Sequence, residues 1–198
     1  MMMYKQKKNN RGFSLIEMLV SIALFAIVVT TSVGTLLVLV DANSKSQSIQ
    51  IAINNLSFAV DVMTRQLRTG TDFYCANNQA AIVTGSSLRS GTSDCSNGGN
   101  AIAFTDTRTG QRVGFALTHP NGTAIQRRID GVGGSAWLDM TGSNITITNL
   151  DFVVTGSGSG DDIQPSVTIF IDASVGDVTG LGSQFQIQTS VTQRKLGI

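Results

Sequence analysis

Few residues in this 198-residue chain have types and spacings that do chemistry. Glu17 is its only glutamate, against twelve aspartates, and it stands inside a long apolar run. An ionised acid within a membrane helix costs roughly 2.5 to 3.5 kcal/mol, less near the interface. Glu17 therefore either meets a cationic partner or snorkels to lipid headgroups, and spacing alone leaves both open. Cys75 and Cys95 are the only thiols and His119 the only imidazole. The chain alone cannot furnish a four-cysteine zinc site, nor one of two cysteines and two histidines. His119 precedes Pro120 in HPNG and reads as a loop residue rather than a general base. Asp161 and Asp162 in GSGSGDD lack the spaced acids of a calcium loop, so a solvated turn is expected there. The chain holds no GxSxG elbow, GxxxxGK[ST] loop, HExxH or GxGxxG. The expectation is a protein that is not an enzyme, with no catalytic residue, metal site or cofactor.

Composition narrows the class. The chain is 41% hydrophobic and only 14% charged, with a net charge of +1, which argues against a disordered tail and against a large basic surface. Arg127 and Arg128 would point to opposite faces of a strand, so no nucleic-acid partner is expected. Two of the 21 Gly fall in residues 1–69, and both Pro lie at or beyond residue 120. The chain divides near residue 70.

The first twelve residues carry Lys5, Lys7, Lys8 and Arg11 and no acid. FSLIEMLVSIALFAIVVTTSVGTLLVLV follows from Phe13 to Val40, with Glu17 its only charge. Met18 to Val40 is 23 uncharged residues, roughly 34 Å as a helix, which matches a bilayer core. Basic residues before it and Asp41 after it put the N-terminus in the cytoplasm and the remainder outside. The run is too long for the apolar region of a cleaved secretory signal, and DANSKS follows it instead of a small-x-small site.

RGFSLIEMLV, with Gly12 before Phe13 and Glu17 four residues beyond that Phe, resembles the processing motif of type IV prepilins and of type II secretion pseudopilins. The resemblance implies a membrane prepilin peptidase that cuts between Gly12 and Phe13 and N-methylates Phe13. It further implies that Glu17 pairs with the Phe13 amine of a neighbouring subunit during assembly. Amine and carboxylate would each be costly alone among packed apolar helices, and much less so together. The family often has a kinking Pro where this chain has Gly34, so a fixed kink is not expected.

After Val40 the pattern becomes amphipathic. Ile49, Ile53, Leu56, Val60, Met63 and Leu67 predict one apolar stripe, read as packing on the chain's own sheet rather than on a coiled-coil partner. With Gly70 as a stop, residues 14–69 form one helix of about 84 Å. Residues 70–100 read as a Gly/Ser-rich loop. They fall on the oxidising side, where a Cys75–Cys95 bridge closing about 20 residues would contribute roughly 3 kcal/mol; two free thiols are the alternative.

From residue 101 onward, strands are predicted over 101–104, 112–117, 124–129, 136–140, 144–154, 166–173 and 185–193, separated by turn residues. Val167, Ile169 and Ile171 alternate, whereas Ile145 and Ile147 change phase before Leu150, Phe152 and Val154, predicting a bulge near Asn149. IQRRIDG, WLDMTG, NITITNLDF, QPSVTIFIDA and FQIQTSVTQRKL also resemble the C-terminal regions of minor pilins and minor pseudopilins.

The expected fold is α+β and pilin-like, a long N-terminal helix, membrane half plus amphipathic half, packed on a mostly antiparallel β-sheet. Its organisation is a basic leader (1–12), a membrane or filament-core helix (13–40), an amphipathic half (41–69), a two-cysteine loop (70–100) and a β region (101–198). The expected function is that of a minor structural subunit, stored in the inner membrane as a single-pass precursor. Its partners would be other pilins or pseudopilins, the prepilin peptidase, an inner-membrane assembly platform and membrane lipid, with the extracytoplasmic domain periplasmic or on a surface filament. The alternative is a membrane-anchored β domain that binds a ligand and never polymerises.

Overall fold

A computed structural model describes residues 12–117, 123–132, 136–158, 163–175 and 183–194. His119, Asp161 and Asp162 fall outside them. The chain separates into two compact units, the first ending at Ser46 and the second beginning at Gln47.

One helix, α1, runs unbroken from Leu15 to Arg68. Nothing in its sequence stops it, because it contains no Pro and its single interior Gly34 costs only about 1 kcal/mol relative to Ala. At its end the Thr69 N–H and hydroxyl both donate to the Gln66 carbonyl, and Arg65 and Arg68 lie in the last turn, where cations complement the helix dipole.

In the first unit every described residue is exposed, Phe13 by 82%. The second unit holds the core. There α1 buries Ala52, Leu56, Ala59, Met63 and Leu67. The expected stripe is thus rotated: Leu56, Met63 and Leu67 belong to it, Ile49 and Val60 flank it half-buried, and Ile53 is 42% exposed. The reason is shape. The sheets fill the shared core with Phe73, Phe104, Phe115 and Phe152, and two alanines let the helix approach them closely without overpacking.

Among the described residues ten strands follow: β1 (Gly70–Ala76), β2 (Val83–Thr84), β3 (Ser87–Leu88), β4 (Ala101–Asp106), β5 (Arg112–Leu117), β6 (Ile125–Ile129), β7 (Leu138–Asp139), β8 (Thr146–Thr155), β9 (Ser166–Val175) and β10 (Ser183–Thr192). They form two antiparallel sheets, of order β1-β4-β5-β6-β7 and β10-β9-β8, plus the ribbon β2-β3. The expected α+β plan of a long helix on antiparallel strands is what forms, with the strands divided between sheets. The segment 70–100 is not simply a loop either: β1 contributes the buried Phe73 and Cys75. Its alternation is interrupted at Asp72, whose φ of 53° accompanies a register shift between Thr71 and Tyr74. The predicted bulge near Asn149 is present, as a shift between Ile147 and Asn149 in the β8–β9 ladder. Asn55 of α1 donates through Nδ2 to the Asn144 Oδ1 at 3.2 Å, just before β8.

Candidate functional site

The first candidate site is the start of α1. Gly12 and Phe13 precede the helix and are exposed, and among the described residues a side-chain carbon added at Gly12 would meet no atom within 4 Å. Ser14 caps the helix. Its carbonyl accepts the Met18 N–H at 3.2 Å, and its Oγ accepts the Glu17 N–H at 3.4 Å. The pattern Ser14-x-x-Glu17 is half of a capping box, a signal legible in the sequence beside the processing motif. Glu17 sits in the first turn, where the helix dipole favours an anion. Among the described residues its carboxylate accepts no hydrogen bond, which leaves it open to a cation from outside the chain.

The apolar run beyond Glu17 contains hydroxyls, and each of those described here bonds within the helix. Ser21 donates to the Glu17 carbonyl (2.7 Å), Thr30 to Ala26 (2.8 Å), Thr31 to Ile27 (3.0 Å), Ser32 to Val28 (2.7 Å) and Thr35 to Thr31 (2.9 Å). Their polarity is spent on backbone carbonyls, so the surface offered outward is apolar and suits lipid or other helices. The helix is long and apolar enough to cross a membrane.

The second candidate is the Cys75–Cys95 disulfide, with Cα atoms 5.8 Å apart. Cys75 lies on β1, and its N–H donates to the Ser93 carbonyl (3.0 Å), while the Ser93 N–H donates to Phe73 (2.9 Å). The Cys95 N–H donates to the Val154 carbonyl of β8 at 3.1 Å. The bridge therefore staples the segment at which the two sheets meet. Gly99 packs against it so closely that a side-chain carbon there would lie 2.8 Å from the Cys75 Sγ.

Two arginines of the second unit tie backbone together. Arg112 donates through Nη1 to the Asp72 carbonyl (2.8 Å) and through Nη2 to the Arg89 carbonyl, clamping the β1 bulge. Burial lowers its pKa from the ordinary arginine value, and the carboxylates of Asp72 and Asp130 oppose that. Arg128 is buried, pairs with Asp130 (3.1 Å) and reaches the Ser86 carbonyl, holding the β2-β3 ribbon; Arg127 remains half-exposed. An open cleft of about 530 Å³ lies beside this ribbon, lined by Asn78, Gln79, Val83, Arg128 and Trp137. Among the described residues no group of three or more His, Cys, Asp or Glu could hold a metal ion.

Comparison with known families gives one finding: residues 7–33 match the prokaryotic N-terminal methylation motif. That motif implies other pilin-type subunits and a prepilin peptidase as partners. Neither a curated protein nor a solved structure matches the chain. That motif, leading into an unbroken helix that packs on antiparallel sheets, supports a type IV prepilin-like or pseudopilin-like protein.

Proposed function

We propose that the protein is a minor structural subunit of a type IV pilus or a type II secretion pseudopilus, without catalytic activity of its own. The observation that carries this reading is the first unit: a methylation motif opening a helix that is exposed at every described residue through Ser46. The precursor waits in the inner membrane with its N-terminus in the cytoplasm and its β-rich unit outside. Prepilin peptidase cuts between Gly12 and Phe13 and methylates Phe13. On an assembly platform the apolar helices exchange lipid for one another, and Glu17 meets the neighbour's Phe13 amine.

The test is co-expression with an active prepilin peptidase, followed by N-terminal sequencing of membrane-extracted protein. N-methylated Phe13 is expected, with slower processing in Gly12→Val. A chain that still begins at Met1 rejects the reading in favour of a permanently anchored binding module. Glu17→Ala should be inserted and cleaved normally yet be depleted from sheared filaments, because the partner amine would be buried unpaired. Normal recovery would mean that Glu17 only snorkels to headgroups.

A further inference from the structure

Among the described residues each end of the two larger sheets is blunted, except one. The outer edge of β1 is covered by the Ser93 segment, through the bonds of Ser93 to Phe73 and Cys75. The outer edge of β8 is covered along its length: Val154 exchanges bonds with Cys95, Phe152 donates to the Gly99 carbonyl (2.8 Å) and Ile147 to the Thr123 carbonyl (3.1 Å). At the far end of the five-stranded sheet, β7 has only two residues, and short edges offer little to pair with. The remaining end is β10, SQFQIQTSVT, ten residues with no charge, no Pro and no bulge in its ladder with β9. Among the described residues no backbone bonds to its outer edge.

The groups on that edge can be named. Gln193 donates its N–H to Pro165 on the β9 side (2.9 Å), and Arg194 donates to the Arg68 carbonyl on the other (2.8 Å). Alternation along the strand then directs the N–H and C=O groups of Gln184, Gln186, Gln188, Ser190 and Thr192 outward. The side chains give a second, independent sign. Phe185 and Ile187 face the core but are only half-buried, whereas their β9 partners Ala173 and Ile171 are almost completely covered. The apolar layer stops one strand short of closure.

We propose that the edge of β10 accepts an added strand: an uncharged extended segment, with alternating apolar side chains, donated by a different subunit of the filament. The inference rests on the filament reading for the identity of the donor and on the edge chemistry for everything else. Backbone bonds to the five outward residues give the affinity, and apolar side chains laid over Phe185 and Ile187 give the register. A second copy paired through its own β10 is the other occupant such an edge could take, and the test separates it from the proposed one.

The edge is tested with the full chain in detergent and a fluorescein-labelled peptide of sequence SQFQIQTSVT, an uncharged segment with alternating apolar side chains. Saturable anisotropy is expected, weakened at least tenfold by Gln188→Pro. That substitution removes an outward N–H, while the β9 ladder uses the odd-numbered residues, so circular dichroism and Tm should hold. A peptide N-methylated at every backbone nitrogen should also fail on the wild-type chain, because neither of its edges can donate, which makes the result independent of the variant. No binding by the wild type, or equal binding of Gln188→Pro or of the methylated peptide, overturns the proposal. In cells Gln188→Pro should be cleaved normally but fall at least tenfold in sheared filaments; full recovery overturns it. Disulfide-linked dimers of Gln188→Cys in membranes would make the occupant a second copy and also overturn it. A wild-type chain that is never cleaved strikes at the filament reading instead, while the peptide result still judges the edge.

Discussion

The two units of the chain share one helix and obey opposite rules. Up to Ser46 every described residue is exposed and the large ones are almost all apolar; from Gln47 on, the same helix buries only Ala52, Leu56, Ala59, Met63 and Leu67 and turns Asp61 and Arg65 outward as an i,i+4 pair at 2.6 Å. Helical propensity does not distinguish the halves. What differs is the solvent each expects: lipid or sister helices around the first, two sheets beneath one face of the second. A helix that is apolar all round needs a surrounding apolar phase, whereas one with a stripe needs only a single covered side.

The largest effect that would break this comparison is removal of the second half. A chain beginning near Asn43 keeps the packing residues and should be a soluble monomer. One beginning at Thr71 uncovers the face that holds Phe152, Ile169 and Ile171, an apolar area of at least several hundred Å² that should drive aggregation. Sedimentation and thermal unfolding of the two distinguish them. A cooperative, soluble chain starting at Thr71 would show that the sheets do not need the helix.

Single substitutions sharpen the same contrast. Leu56→Asp places a charge without a partner in the core and should destabilise the second unit by about 4 kcal/mol. Ile53→Asp, three residues away on the exposed side, should change stability by less than about 0.5 kcal/mol. Urea denaturation of the chain from Asn43 measures both. Equal damage from the two would restore Ile53 to the packing face. Below these comes the disulfide. Cys75→Ser with Cys95→Ser should cost about 3 kcal/mol, or roughly 6 to 12 °C in Tm, and uncouple the Ser93 segment from β1. An unchanged Tm would mean that backbone bonds alone hold the joint.

The sequence made some of this legible and hid the rest for identifiable reasons. β5 was readable to the residue because RVGFAL is bounded by turns, and the bulge at Asn149 because apolar parity visibly changes there. The cysteine pairing followed from topology and compartment. β1 was hidden because the kink at Asp72 disrupts its alternation, and a broken strand in a Gly/Ser-rich segment looks like a loop. The helix face is hard to read at Ile53 because the stripe of large apolar residues leaves out the alanines, although Ala52 and Ala59 are fully buried and Ile53 is not. The division into two sheets depends on which loops cover which edges, information carried by long-range pairing and not by any local pattern. Gly12, Phe13 and Glu17 are legible as a motif, and Ser14-x-x-Glu17 carries the cap signal within it.

That cap gives the smallest and most local prediction. The Glu17 N–H lies in the first turn, where intrahelical acceptors are missing, and its described partner is the Ser14 Oγ. Ser14→Ala removes this acceptor and should cost about 1 kcal/mol at the helix start, so amide exchange at Glu17 in micelles should accelerate about fivefold. Ser57→Ala makes the control, an exposed serine in the interior of the same helix, where Ala is the better helix former and no loss is expected. If Ser14→Ala leaves exchange at Glu17 unchanged, the first turn is held by its surroundings. The two units would then differ even in how their helix turns are stabilised, the first by the apolar phase around it and the second by its own side chains.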